Sequence, residues 1–202
     1  MTNYAQLRNW SAMINGIESL SPLWIPGTQH GYFSNAYGFS AGELVRRVDP
    51  KKRTVGEFVR DEINKELDVE LYIGLPSEYI DRVSPIGLQS TPTFNGYLPF
   101  TDQNDYRTWQ AEIPDINGIR NARSLAKMYA CLIGKVKGKK GNRLLNEETL
   151  QRAIKSNTPP GEIDFVLNIT INFAMGYLLY QDFFPSLGPV IFGYSGNFRH
   201  TV

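Results

Sequence analysis

The sequence predicts an α/β (α+β) domain in which helices come first and strands follow, with an incomplete antiparallel sheet. Three observations carry this. Apolar residues recur at helical spacing in several stretches of residues 1–160, and two capping signatures punctuate them. The tail, "IDFVLNITINFAMGYLLYQDFF" and "GPVIFGYSG", turns β-branched and aromatic. No repeat, low-complexity tract or linker divides the chain, so residues 1–202 read as one partial domain with a helical part over 1–160 and strands over 161–202.

The first element is an amphipathic helix in which Leu7, Trp10, Met13, Ile14 and Ile17 share a face. The same residues lack a basic start followed by an apolar run, so this is not a secretory signal. A Pro- and Gly-punctuated loop follows, "SPLWIPGTQHGYF". The second helix runs from about Tyr37 to Val48 and should bury Tyr37, Ala41, Leu44, Val45 and Val48. Thr54 and Glu57 form a capping box for a third, carrying Val55, Phe58, Val59, Ile63 and Leu67. Residues 70–113 show no clear period and read as a long irregular loop of the sort that covers a site. Helices resume at about 122–134, with Leu125, Met128, Tyr129, Leu132 and Ile133 inward, and, from the cap Asn146, at about 147–156. Two strands scarcely bury their own faces. Either the helices cover them or partner strands lie outside this sequence.

Charge is nearly balanced, with 21 basic and 20 acidic residues and a net charge of +1, so no long-range field draws the chain to nucleic acid. The densest basic run, "KVKGKKGNR" (135–143), reads as a solvated loop between helices. No segment reaches the roughly 18 apolar residues of a membrane span. One cysteine, Cys131, excludes an internal disulfide and reads as a small core residue. The two histidines, His30 and His200, have no cysteine cluster or paired carboxylates at ligand spacing. His30 reads as a loop residue. No metal or other cofactor is expected, and no glycine-rich strand-to-helix turn suggests a nucleotide.

One tetrad invites a catalytic reading. Ser124-Leu125-Ala126-Lys127 spells Ser-x-x-Lys, the pattern that carries the nucleophile of penicillin-binding proteins and serine β-lactamases. Helical geometry argues against it here. With the apolar stripe centred near Leu125, Lys127 falls roughly 190° away and faces solvent. An exposed ammonium keeps its proton and cannot serve as the base for serine. Ser124 sits in the first turn, where hydroxyls are common.

Other stretches carry a resemblance. In "PLWIPGTQHGYFSNAYGFSAGELVRRV" (22–48), Pro26-Gly27-Thr28, Tyr32-Phe33-Ser34, Tyr37-Gly38 and Gly42-Glu43-Leu44-Val45-Arg46-Arg47 fall in register with the catalytic-tyrosine segment of class C β-lactamase-like serine hydrolases. The stretches "EFVRDEINKELDVELYIGLP" (57–76), "NGIRNARSLAKMYACL" (117–132) and "FGYSG" (192–196) resemble later parts of that family, in order. The resemblance implies a β-lactamase/transpeptidase-like fold and hydrolysis of esters or amides through an acyl-serine. It implies Tyr32 as the catalytic proton shuttle, and Ser34, Tyr194, Ser195 and Gly196 at the substrate. Ser34 stands where many members have Asn or Ala. Tyr194 stands where the family usually has Lys or His, and a neutral phenol cannot pair with a substrate carboxylate. That leans away from β-lactam hydrolysis and toward neutral esters.

In the family the Ser-x-x-Lys helix lies well before the tyrosine motif. Here Ser11, Ser19 and Ser21 are followed three positions on by Ile14, Pro22 and Trp24. The 117–132 stretch matches a structural helix of the family, in agreement with the geometry of Ser124. The resemblance therefore implies the middle of such a hydrolase, without the nucleophile segment upstream or the closing strands and helix downstream. Two functions stand as expectations: a serine hydrolase whose nucleophile lies outside these residues, or a non-catalytic relative that binds a ligand or protein.

Overall fold

The computed structural model describes residues 4–86, 104–134 and 143–194. The expected first helix is two: α1 (Tyr4–Leu7) and α2 (Trp10–Glu18). The break falls at Asn9, whose side chain accepts the Ala12 N–H at 3.0 Å and so caps a fresh helix. Leu7 and Ile14 are buried against Phe39 and Ile113, with Trp10, Met13 and Ile17 around them.

Helix α3 (Tyr37–Val48) has the expected bounds but another buried face. Phe39 and Gly42 are inside, whereas Tyr37, Leu44 and Val48 are exposed. The reason lies in α2. A Cβ on Gly42 would come within 2.7 Å of the Trp10 ring and 2.5 Å of Val55, so the helices meet most closely where α3 has no side chain. Trp10 stacks obliquely on Phe39 at 5.1 Å and donates its indole N–H to Glu43 at 2.8 Å, fixing that rotation.

Helix α4 joins Val55–Phe58, a π-helical stretch Val59–Asn64 and Lys65–Leu67. Its start is the expected capping box: Thr54 accepts from Glu57 N–H, and the Glu57 carboxylate accepts from Thr54 N–H. It ends where Asp68 turns left-handed at φ 52°.

The described part of 70–113 is not an irregular cover. It contains β1 (Leu71–Tyr72), a 3₁₀ turn at Ser77–Arg82 and α5 (Tyr106–Gln110). It also supplies a core of Leu75, Val83 and Trp109 that closes on Ile119. Strand β1 pairs antiparallel with β2 (Ile119–Arg120), a strand too short to leave a sequence pattern. Residues 87–103 lie outside the described residues.

Helix α6 (Ala122–Ile133) is capped by Asn121 and α7 (Glu147–Ala153) by Asn146. The basic run at 135–142 lies outside the described residues. The tail forms a meander of short strands, β3 (Asn172–Phe173), β4 (Leu178–Leu179) and β5 (Phe192–Gly193), antiparallel in that order. Helix α7 covers it, packing Leu150 and Ile154 against Ala174 and Leu179. The helices therefore do cover the strands, although Met175, Phe183, Phe184, Leu187 and Val190 remain exposed.

Candidate active site

Pro26 and Gly27 make a type II-like turn. Thr28 N–H donates to Ile25 C=O at 3.1 Å, and Gly27 takes φ 85°, a conformation glycine adopts without strain. The chain then runs through Tyr32 and bends at Asn35 (φ 57°) into α3. The residue at the helix cap is Ala36, which has no side-chain oxygen to offer. Asp115 supplies one from 77 residues away. Its Oδ1 accepts the Gly38 N–H at 2.8 Å, and the Phe39 N–H adds a second bond. Gly38 is required for this approach, since a Cβ there would lie 2.9 Å from the Asp115 carboxyl and from its backbone nitrogen.

Tyr32 and Tyr194 meet above this capped helix end. Their hydroxyls are hydrogen-bonded to each other. Burial raises the Tyr194 phenol far above the ordinary tyrosine range, and the bond to Tyr32 and the nearby Asp115 charge push the same way. Tyr194 therefore keeps its proton and acts as the donor to the Tyr32 oxygen. Its backbone N–H in turn reaches the Tyr129 hydroxyl of α6, which burial also holds protonated.

A cavity of about 440 Å³ opens beside the pair. Tyr32, Phe33 and Tyr37 line it from the tyrosine loop and the start of α3, together with Phe173 and Tyr177 of the tail and Pro114, Asp115, Asn157 and Thr158. Among the described residues that line it there is no lysine or arginine. Burial raises the Asp115 carboxyl above its ordinary range, opposed by the helix N–H groups that it accepts. The site can thus hold an uncharged, partly apolar ligand with phenol hydroxyls as donors.

Of the residues singled out in the sequence, Tyr32 and Tyr194 come together. Ser34 is half-buried beside them and does not line the cavity. Ser195 and Gly196 lie outside the described residues. Ser124 is buried, not a surface hydroxyl. Its Oγ accepts the Glu70 N–H at 2.9 Å, stitching α6 to the start of β1, and it is not among the residues that line the cavity. The inward face of α6 centres between Ser124 and Leu125, because Cys131 and Met128 pack on Leu67 and Leu71 while Ile133 is exposed. Lys127 consequently lies at the flank, not opposite the core, and donates to the Asp68 carbonyl at 3.2 Å. Asp115, Tyr177 and the setting of His30 were missed. The pairing of a cap-less Ala36 with Gly38 is the signal that could have pointed to a cap from elsewhere.

Among the described residues no cluster of His, Cys, Asp and Glu could hold a metal ion, and no helix is long and apolar enough to cross a membrane.

No curated protein matches this sequence. Among solved structures it is similar to a penicillin-binding protein homologue from Caulobacter crescentus, with 28% identity over 97% of this chain and 55% of that one, at a TM-score of 0.77. A family VIII carboxylesterase shares the fold with a TM-score of 0.82 and 24% identity, over 96% of this chain and 54% of that one. EstA from Arthrobacter nitroguajacolicus Rue61a does so at 0.77 and 23%, over 88% and 51%. The chain spans about half the length of these structures. Its helices and small antiparallel sheets have the β-lactamase/transpeptidase fold. The family described as Beta-lactamase matches residues 3–202, nearly the whole sequence, and the chain belongs to that serine hydrolase family.

Proposed function

We propose that this chain carries the tyrosine half of a serine hydrolase that cleaves neutral esters or amides through an acyl-serine. Tyr32 is the proton shuttle, and the nucleophile comes from a Ser-x-x-Lys segment outside these 202 residues. The observation that supports this best is the Tyr194–Tyr32 hydrogen bond at the mouth of an aromatic cavity. A phenol donating to the Tyr32 oxygen stabilises negative charge there when Tyr32 gives up its proton to the reaction. Preference for uncharged substrates rests on two features. Tyr194 has no positive charge to pair with a carboxylate, and His30, the basic residue among the described residues of the lining, is already paired with Glu162.

Ser124 contributes no nucleophile in this reading, because its hydroxyl is committed to Glu70 and its lysine partner to Asp68. The isolated chain is then silent. Two assays with a 4-nitrophenyl ester test the proposal. The 202-residue chain should give no turnover, and turnover that vanishes in Ser124→Ala would overturn the assignment. In a gene product that includes an upstream Ser-x-x-Lys, Tyr32→Phe should lower kcat by about 10²–10⁴-fold.

A further inference from the structure

His30 stands two residues before Tyr32 and lines the same cavity. Its imidazole is held between two carboxylates of one turn. Nδ1 is 2.8 Å from Glu162 Oε1, which also accepts the His30 backbone N–H at 3.3 Å. Nε2 lies 3.8 Å from Oδ2 of Asp164. Asp164 is fully buried, and its Oδ1 is engaged by the Val166 and Leu167 N–H groups at 2.9 and 2.7 Å. Among the described residues neither Asp164 Oδ2 nor His30 Nε2 has a hydrogen-bond partner. The ring also meets the edge of Phe173, which is uncharged, at 5.8 Å.

Proton counting gives this arrangement a meaning. At 2.8 Å from a carboxylate oxygen, Nδ1 carries a proton, since two acceptors would repel. With that proton alone, Nε2 turns a lone pair toward the buried Oδ2 of Asp164. Two unsatisfied acceptors then face each other in a site that screens them poorly. A second proton, on Nε2, converts the repulsion at 3.8 Å into an ion-pair attraction.

The loop that carries Tyr32 is pressed onto the same turn. The Phe165 N–H donates to His30 C=O at 3.2 Å, and the Trp24 ring lies 5.2 Å from that of Phe165. Between His30 and Tyr32, a Cβ on Gly31 would meet Trp24 at 2.9 Å and Val166 at 3.0 Å, so the backbone lies flat against the turn. We propose that His30 is a positioning residue for Tyr32, fastening the tyrosine loop to the Glu162–Asp164 turn as an imidazolium with a carboxylate at each ring nitrogen. The catalytic part of Tyr32 rests on the function proposed above; the fastening does not.

The full chain tests this by NMR without any turnover. His30 and His200 are the only histidines, so His200→Gln leaves one ring to follow. With ¹⁵N-labelled histidine and selectively labelled tyrosine, both His30 ring nitrogens should be found protonated together on acidification. The Tyr32 ring resonances should then shift with the same midpoint as His30 as pH rises. In His30→Gln that pH-dependent Tyr32 shift should be lost. Asp164→Asn, which keeps an oxygen for Val166 and Leu167, should leave Nε2 unprotonated at the same pH. A His30 ring that keeps Nε2 bare throughout, or Tyr32 resonances that ignore its titration, would overturn the proposal. The wild-type titration decides alone should His30→Gln fail to fold. A Tyr32→Phe variant of full activity would sink the shuttle reading and leave the bridge standing, whereas a flat Tyr32 titration would do the reverse.

Discussion

Gly38→Ala adds one methyl group where the site is most tightly closed. That Cβ would sit 2.9 Å from the Cγ, Oδ2 and backbone nitrogen of Asp115. Carbon contacts are comfortable at about 3.5–4.0 Å, so each overlap is well over half an ångström. One of the three atoms is backbone and cannot swing aside. Forcing the two segments apart costs about 1–3 kcal/mol as overpacking. The shift also lengthens the 2.8 Å bond from Gly38 N–H to Asp115, a helix cap worth about 1 kcal/mol. Alanine returns up to about 1 kcal/mol through its better helix propensity. The net expectation is a loss of about 1–3 kcal/mol, read as a lower urea midpoint by circular dichroism. Gly16→Ala is the control. It lies inside α2 with nothing within 4 Å of the added methyl, so the same substitution should stabilise by about 0.5–1 kcal/mol. A double mutant with Asp115→Ala should recover part of the Gly38→Ala loss, since the carboxyl overlap goes while the backbone overlap stays. A Gly38→Ala protein as stable as wild type would refute the close approach of Asp115 to α3.

Two further outcomes follow from the same contacts. Ser124→Ala strips the Glu70 N–H of its acceptor, and should lower the unfolding free energy by about 1–3 kcal/mol while leaving ester turnover by any active form unchanged; loss of turnover without loss of stability would revive Ser124 as a nucleophile. Asp105 caps α5 and pairs with Arg107 and, at 3.0 Å, with Arg8 just after α1, and these cations hold its carboxyl down at about 2. Its unfolded value is about 3.9. A lowered folded value stabilises above the unfolded one, so this contribution is complete above about pH 4 and fades as pH falls toward 2. Asp105→Asn keeps an acceptor for the Arg107 N–H, and should show a lower Tm than wild type at pH 7, with the gap closing near pH 2; an equal gap at both pH values would contradict the ion-pair account.

Local signals were the legible ones. The capping box at Thr54, the cap at Asn146 and the Pro26-Gly27 turn all depend on atoms within four residues of each other, and all can be read from the string. Tyr32 and Tyr194 were singled out only by motifs that resemble those of a family. The faces of the helices were not. Periodicity put Tyr37, Leu44 and Val48 inside, yet helix rotation is settled by where two surfaces approach most closely, and Gly42 against Trp10 decides it. The strand pair β1–β2 and the burial of Trp109 were hidden because two-residue strands have no period to display. What makes the site a site came from folding alone. Asp115 reaches Gly38 across 77 residues, and Glu162 reaches His30 across 132. Nothing in a linear pattern reports such pairs, because burial and charge act through space and only the folded chain brings those groups within bonding distance.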